Sequence, residues 1–281
     1  MSSGPAGQTA RSSVQPITRV QPRATSRSTL LTSDGVRIEA AYDPGPGPVG
    51  GPAIVLAHGF TGDLGRPHVR RAATVFAQSA AVITFSFRGH GGSGGRSTVG
   101  DREVLDLAAA VAWARSLGHT RVVTVGFSMG GSVVLRHAAL HGGRTEARVD
   151  AVVSVSAPAR WFYRGTAPMR RLHWVVTRRA GRLVGRLGLR TRIHPHEWAP
   201  VPLSPTESVP LIAPTPLLIV HGDQDPYFPV DHPRMLAAAA GDAAELWLEP
   251  GMGHAEHAAD DELLGRIGAW ATASWTSATA E

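Results

Sequence analysis

The most chemically suggestive run in the chain is Gly126-Phe127-Ser128-Met129-Gly130, followed by Gly131. It comes directly after the apolar run Val122–Val125 and directly before a helix-like stretch that begins near Met129. A serine on so tight a strand-to-helix turn has a strained backbone, and its hydroxyl is lifted clear of the sheet. The flanking glycines let other backbone approach where a Cβ would clash. The helix start adds amide donors and a partial positive charge suited to an anion. These residue types at this spacing point to Ser128 as a nucleophile.

A serine hydroxyl needs a base to take its proton, and the base needs a third group to orient it. Thirteen histidines are present, so composition selects none of them. Position favours His254, in the glycine-rich loop Pro250-Gly251-Met252-Gly253-His254 after the strand-like Glu245–Leu248. Loops at the carboxyl ends of strands are where open α/β sheets place their sites. His257 is the competitor, and His221, at the end of a strand, reads as structural. For the acid, Asp223 and Asp225 both follow the run Leu217–Val220, in His221-Gly222-Asp223-Gln224-Asp225-Pro226. Asp225 is favoured, because the proline after it suits a loop that turns sharply. Asp223 is the alternative, with a turn-capping role for whichever loses. The order Ser128, Asp225, His254 is the chain order of serine hydrolases whose nucleophile sits on an elbow. Two amides should face the developing oxyanion. One is the N–H of Met129; the other is that of Phe60, in the loop Ala57-His58-Gly59-Phe60. His58 reads as a support for that loop rather than as a base.

These groups need a frame. Ala53–Ala57, Ala81–Phe85, Val122–Val125, Ala151–Val155 and Leu217–Val220 are short apolar runs without alternation. Such runs read as strands buried on both faces, hence a parallel sheet. Val36–Tyr42 alternates as a strand, and Glu245–Leu248 is a last one. Helical stretches fall between them, over Pro67–Gln78, Asp101–Leu117, Met129–His141, His232–Ala240 and Asp260–Trp275. Strands alternating with helices predict an α/β protein with a doubly wound, mostly parallel sheet. One stretch, 160–210, interrupts the alternation with about fifty residues between two core strands. It reads as a lid inserted into a single domain spanning 30–281. Residues 1–29 are poor in large apolar groups and read as a disordered tail.

Composition narrows the function classes. The chain has 281 residues, 43% of them hydrophobic, and no cysteine. Disulfides, thiolate nucleophiles, iron–sulfur clusters and cysteine zinc sites are thereby excluded. No run of apolar residues is long enough for a transmembrane helix. No apolar signal region follows the early arginines, and a cytoplasmic location is expected. All 28 basic residues are arginine, against 22 acidic ones, for a net charge of +6. Ten of those arginines lie between Arg160 and Arg192, where there is no acid. The rest of the chain is mildly acidic, so a general nucleic-acid binder is not expected. The glycine-rich stretch from Gly89 to Gly95 lacks the G-K-[ST] of a phosphate loop.

Taken in order, these motifs resemble the α/β-hydrolase superfamily. The resemblance rests on His58-Gly59-Phe60, on Phe87-Arg88-Gly89-His90-Gly91-Gly92-Ser93, on Gly126 to Gly131, on His221-Gly222 with Asp225, and on Gly251-Met252-Gly253-His254. It runs from about Leu30 to Trp275 and places the chain near lysophospholipase-like, serine-aminopeptidase-like and feruloyl-esterase-like members. It implies a cofactor-free hydrolase acting on esters, thioesters or amides through an acyl-enzyme, with Ser128, His254 and Asp225 as its triad. A serine nucleophile separates the chain from haloalkane dehalogenases and epoxide hydrolases, which use aspartate, and from dienelactone hydrolases, which use cysteine. These relatives usually carry an aspartate just before the FRGHG-like stretch; here it is Ser86. Thioester release, cyclisation, carbon–carbon cleavage, a lyase step and a non-catalytic binding role are the alternatives.

On a helical wheel, Met169–Arg190 places Leu172, Val176, Ala180, Leu183, Val184 and Leu187 on one side. Arg171, Arg178, Arg179, Arg182, Arg186 and Arg190 fall on the other. The expected arrangement is an apolar face over the substrate pocket with arginines in water. Attraction of an anionic acyl substrate and docking on an anionic membrane are the other two readings. Gly181, Gly185 and Gly188 are expected to weaken the helix.

Overall fold

A computed structural model describes residues 1, 25–47, 50–143 and 146–273. The strands are β1 Ser26–Leu31, β2 Arg37–Asp43, β3 Ala53–Ala57, β4 Ala81–Phe85, β5 Val122–Phe127, β6 Ala151–Val155, β7 Leu217–Gly222 and β8 Ala244–Glu249. The helices are α1 Pro67–Phe76, α2 Glu103–Ser116, α3 Met129–Leu140, α4 Ala167–Thr177, α5 Arg179–Leu187, α6 Pro205–Ser208, α7 Asp231–Ala240, α8 Ala255–Ala258 and α9 Asp261–Thr272. The strands form one sheet in the order β1-β2-β4-β3-β5-β6-β7-β8. β1 pairs antiparallel with β2, and β2 with β4; every later pairing is parallel.

The expected α/β sheet with helices on both faces is present, and its core explains the unalternating runs. In β3, Ala53, Val55 and Ala57 belong to one apolar cluster, and Ile54 and Leu56 to the other. Side chains alternate across a strand, so a run buried on both faces must be apolar throughout. The first cluster includes Leu107 and Val111 of α2, Val133 and Val134 of α3, and Leu236 of α7. The second includes Val69 and Phe76 of α1, and Leu264 and Ile267 of α9.

Several boundaries differ from expectation. β1 begins at Ser26, inside the stretch read as a tail; the rest of that stretch, up to residue 24, lies almost wholly outside the described residues. β1 has one buried side chain, Leu30, and is held by its pairing with β2, so its sequence shows little periodicity. α2 starts at Glu103 rather than Asp101, because Glu103 takes up the chain before it. Its carboxylate accepts from the N–H groups of Thr98 and Gly100 and from the hydroxyls of Ser97 and Thr98. α9 ends at Thr272, and Trp275 falls outside the described residues.

The stretch 160–210 departs furthest. The single helix of the wheel is two, α4 and α5, broken where Arg178 is extended (φ −96°, ψ 143°). The predicted apolar face does not turn inward along its whole length. In α5 the buried positions are Gly181 and Gly185, while Leu183, Val184 and Leu187 are exposed. The glycines allow close packing rather than merely weakening the helix. A Cβ on Gly181 would lie 2.3 Å from the Trp174 carbonyl oxygen, a clash with backbone.

Arg88 ties the FRGHG-like stretch to the body. It forms an ion pair with buried Asp106 (2.8 Å) and another with Asp34 (2.7 Å), whose carboxyl that contact holds down at about 2. The loop also receives a carboxylate near Ser86, from β2. Glu39 Oε1 accepts from the Ser86 hydroxyl (2.7 Å) and from the Gly92 N–H (2.8 Å).

His58, His90 and His137 are fully buried, and burial pushes them down to about 4, 4 and 3. An unfolded chain takes up protons at these sites below its ordinary histidine value, where the folded chain does not. Stability is therefore intact above about pH 6.5 and lost progressively as pH falls toward 4. At pH 5.5 each site should cost about 1 kcal/mol. Thermal melts are expected to show a midpoint about 10 °C lower at pH 5.5 than at pH 7.5. A midpoint unchanged over that range would refute the assignment of three neutral buried imidazoles.

Candidate active site

Ser128 sits between β5 and α3 with φ 52° and ψ −112°, a conformation costly for any residue with a side chain. The surroundings impose it. A Cβ on Gly130 would lie 2.2 Å from the Ala57 carbonyl oxygen, so β3 and the start of α3 approach as only glycine allows. The Ser128 hydroxyl donates to His254 Nε2 (2.9 Å), and His254 Nδ1–H donates to Asp225 Oδ2 (2.7 Å). The other carboxylate oxygen, Asp225 Oδ1, accepts from the N–H groups of Tyr227 (2.8 Å) and Phe228 (3.1 Å). Asp225 is thus held from both sides, at the turn that its following proline opens.

The competing residues make other contacts, although His221 Nε2 also lies 3.5 Å from Asp225 Oδ2. Asp223 Oδ1 accepts from the Gly251 N–H (2.7 Å), joining two loops. His257 packs against His68, with ring centroids 4.1 Å apart. His221 is buried, and its Nε2–H donates to the Phe228 carbonyl (2.8 Å). His58 Nδ1–H donates to the Gly59 carbonyl (2.7 Å), and its Nε2 accepts from the Phe87 N–H (3.0 Å).

Phe60, Ser128 and Met129 line one cavity of about 380 Å³. Among the described residues, no hydrogen bond engages the N–H of Phe60 or of Met129. Met129 opens α3, where the first amides have no partner within the helix. The far wall is mostly apolar and comes largely from the 160–210 stretch, with Trp161, Met169, Leu172, Val176, Ile193 and Trp198 beside His173, His194, His196 and Glu197. Arg182 also lines the cavity, contrary to its expected place among solvated arginines. It donates to the Val176 and Thr177 carbonyls at the end of α4, a tie made possible by the break at Arg178.

Residues 52–183 match the family model described as alpha/beta hydrolase fold. A monoacylglycerol lipase of Mycolicibacterium smegmatis is 29% identical over 259 residues, covering 78% of this chain and 86% of the relative. An uncharacterized protein of Mycobacterium tuberculosis is 25% identical over 244 residues, covering 84% of this chain and 73% of its own. Among solved structures, the Pyrococcus furiosus esterase Pf2001 superposes with a TM-score of 0.66 at 21% identity, covering 87% of this chain and 90% of that one. A Xanthomonas campestris protein described as an a/b serine hydrolase without lid gives a TM-score of 0.60 at 22% identity, covering 90% and 98%.

The chain has the α/β-hydrolase fold.

Four residues around the site of this α/β-hydrolase fold escape sequence reasoning. Tyr227 stacks on the His254 ring (centroids 4.3 Å apart, 28° between planes), and Phe228 meets it edge-on. Ser156, at the end of β6, has φ 51° and accepts from the Ala255 N–H (3.0 Å), fixing the residue after His254. Glu256, almost wholly buried, accepts from the Gly59 N–H (3.2 Å) and so ties the loop of His254 to that of Phe60. The positions of Tyr227 and Phe228, just after Asp225, were the only available signal. Ser156 and Glu256 carry no local mark, because their partners lie 99 and 197 residues away.

Proposed function

We propose that the chain is a serine hydrolase that cleaves a carboxylic ester or related acyl bond through an acyl-enzyme. The observation that carries this is the hydrogen-bonded line from Ser128 through His254 to Asp225, opening into an apolar-walled cavity. His254 Nε2 takes the Ser128 proton as Oγ attacks the carbonyl carbon. The same imidazole returns that proton to the leaving group as the acyl-enzyme forms. Water, activated by His254 in turn, then releases the acid. Asp225 keeps the imidazole in the tautomer with its proton on Nδ1 and stabilises it while charged. The N–H groups of Phe60 and Met129 receive the tetrahedral oxyanion. The 160–210 stretch acts as a lid over an apolar acyl group. A lipase among the relatives and esterases among the structural neighbours support the ester reading.

An anionic substrate has less support. Of the three arginines lining the cavity, Arg160 is paired with Asp231, Arg164 is engaged with His173, and Arg182 is spent on the α4 carbonyls. Labelling by a fluorophosphonate, followed by peptide mapping, should place the adduct on Ser128. A series of neutral esters and thioesters of increasing acyl length should then be hydrolysed best at a medium or long chain. An adduct mapped to another serine, or no adduct, overturns the reading.

A further inference from the structure

The helices α4 and α5 have two different sides. Toward the protein, Met169, Leu172 and Val176 of α4 line the cavity. Away from it, the spacing of Arg170, Arg171 and Trp174 puts them on one exposed side of α4, and exposed Arg178 follows at the break. On α5, Gly181 and Gly185 face inward, which leaves Leu183, Val184 and Leu187 outward with Arg179 and Arg186. The apolar members are well exposed: Trp174 at 47%, Leu183 at 57%, Val184 at 48% and Leu187 at 73%. Close packing at Gly181, against the Trp174 carbonyl, holds α5 against α4. A shallow groove beside Trp174 is walled by Arg170 and Arg171.

The charge on this face is of one sign. No acid lies between Arg160 and Arg192. Among the described residues, Arg170, Arg171, Arg178, Arg179, Arg186 and Arg190 form no ion pair. A monomeric protein gains nothing by turning three aliphatic side chains and an indole toward water, and such patches mark contact surfaces. Aliphatic and indole groups interleaved with arginines suit a medium that is apolar inside and anionic at its rim. A nucleic acid matches the arginines but offers nothing to Leu183 and Leu187. A second copy of this face would match the leucines but oppose like charges.

We propose that the outer face of α4 and α5 docks this protein on an anionic lipid bilayer. Trp174, Leu183, Val184 and Leu187 enter the interface, and the arginines engage lipid phosphates. Among the described residues no helix is long and apolar enough to cross a membrane, so the contact is peripheral. The docking deepens the hydrolase reading and rests on it for its purpose. The helices whose inner sides wall the cavity would meet the bilayer with their outer sides, beside esters dissolved there.

The test is co-sedimentation of the full chain with vesicles. One set is phosphatidylcholine alone; the other is equal parts phosphatidylcholine and phosphatidylglycerol. Binding is expected to the anionic vesicles only, and to fall at least tenfold at high salt, because the arginines are exposed and screened. One variant carries Arg171→Gln, Arg178→Gln, Arg179→Gln and Arg186→Gln; another carries Trp174→Ala, Leu183→Ser and Leu187→Ser. Each should weaken anionic-vesicle binding more than tenfold while turnover of a soluble short-chain ester stays within twofold of the parent. That soluble assay separates the two readings, since a dead parent enzyme refutes the hydrolase while vesicle binding still reports on docking. Equal binding to both vesicle types, or none to either, overturns the proposal. So does an apolar variant that converts a dimer to a monomer without changing vesicle binding, or retention of DNA in place of vesicles.

Discussion

Ser128→Ala is expected to lower kcat/KM for any ester substrate by about 10⁴-fold or more, with the fold unchanged. Without Oγ there is no atom to form the acyl-enzyme, and His254 then faces a methyl group. Phe60 and Met129 still offer their amides, so a small residual rate over water should persist. The substitution is mild for the elbow. Alanine at φ 52° bears the same Cβ penalty that serine already bears, and among the described residues the hydroxyl's partner is His254. Circular dichroism and the melting midpoint should therefore match the parent. A variant that keeps more than a tenth of the parent rate would show that Ser128 is not the nucleophile.

Asp225→Asn is expected to cost about 10³- to 10⁴-fold in kcat, and Asp223→Asn less than about threefold. The geometry gives the reason. Asp225 Oδ1 accepts from two backbone N–H groups, so an asparagine would keep its carbonyl there. Its NH₂ would then point at His254 Nδ1 and force the proton onto Nε2. An imidazole with its proton on Nε2 cannot accept from Ser128. Among the described residues the Asp223 carboxylate accepts only from the Gly251 N–H, through Oδ1, and an asparagine can do the same. Steady-state kinetics on one soluble ester would measure both. If the two losses were reversed, the acid would be Asp223 and the triad geometry described above would not be the working one.

The parts of this protein legible in its sequence are those made by residues close together in the chain. Gly126 to Gly130 reads as an elbow because a tight strand-to-helix turn needs glycines at those offsets. Asp225 and His254 read as loop residues because each follows a short apolar strand. β3 to β7 read as buried strands because burial on both faces leaves no polar positions. The stretch from Met169 to Arg190 misled furthest. Periodicity states that a helix has an apolar side; it does not state which way that side turns. Two glycines decided the matter, by packing α5 so closely on α4 that its glycine edge, not its leucine edge, faces the protein.

Sequence alone determined the chemistry on offer: a serine, an imidazole and a carboxylate in hydrolase order, no thiol, and one basic segment. Each follows from residue type and short-range spacing, which survive any arrangement of the rest. Tertiary structure alone decided which aspartate meets His254, that Ser156 and Glu256 steady its loop, that Ser26 to Thr29 join the sheet, and that α5 shows its leucines to the outside. Those outcomes depend on contacts between residues far apart in the chain or on the direction a packed helix faces. Both are settled by the shape of neighbouring elements, which no local pattern encodes.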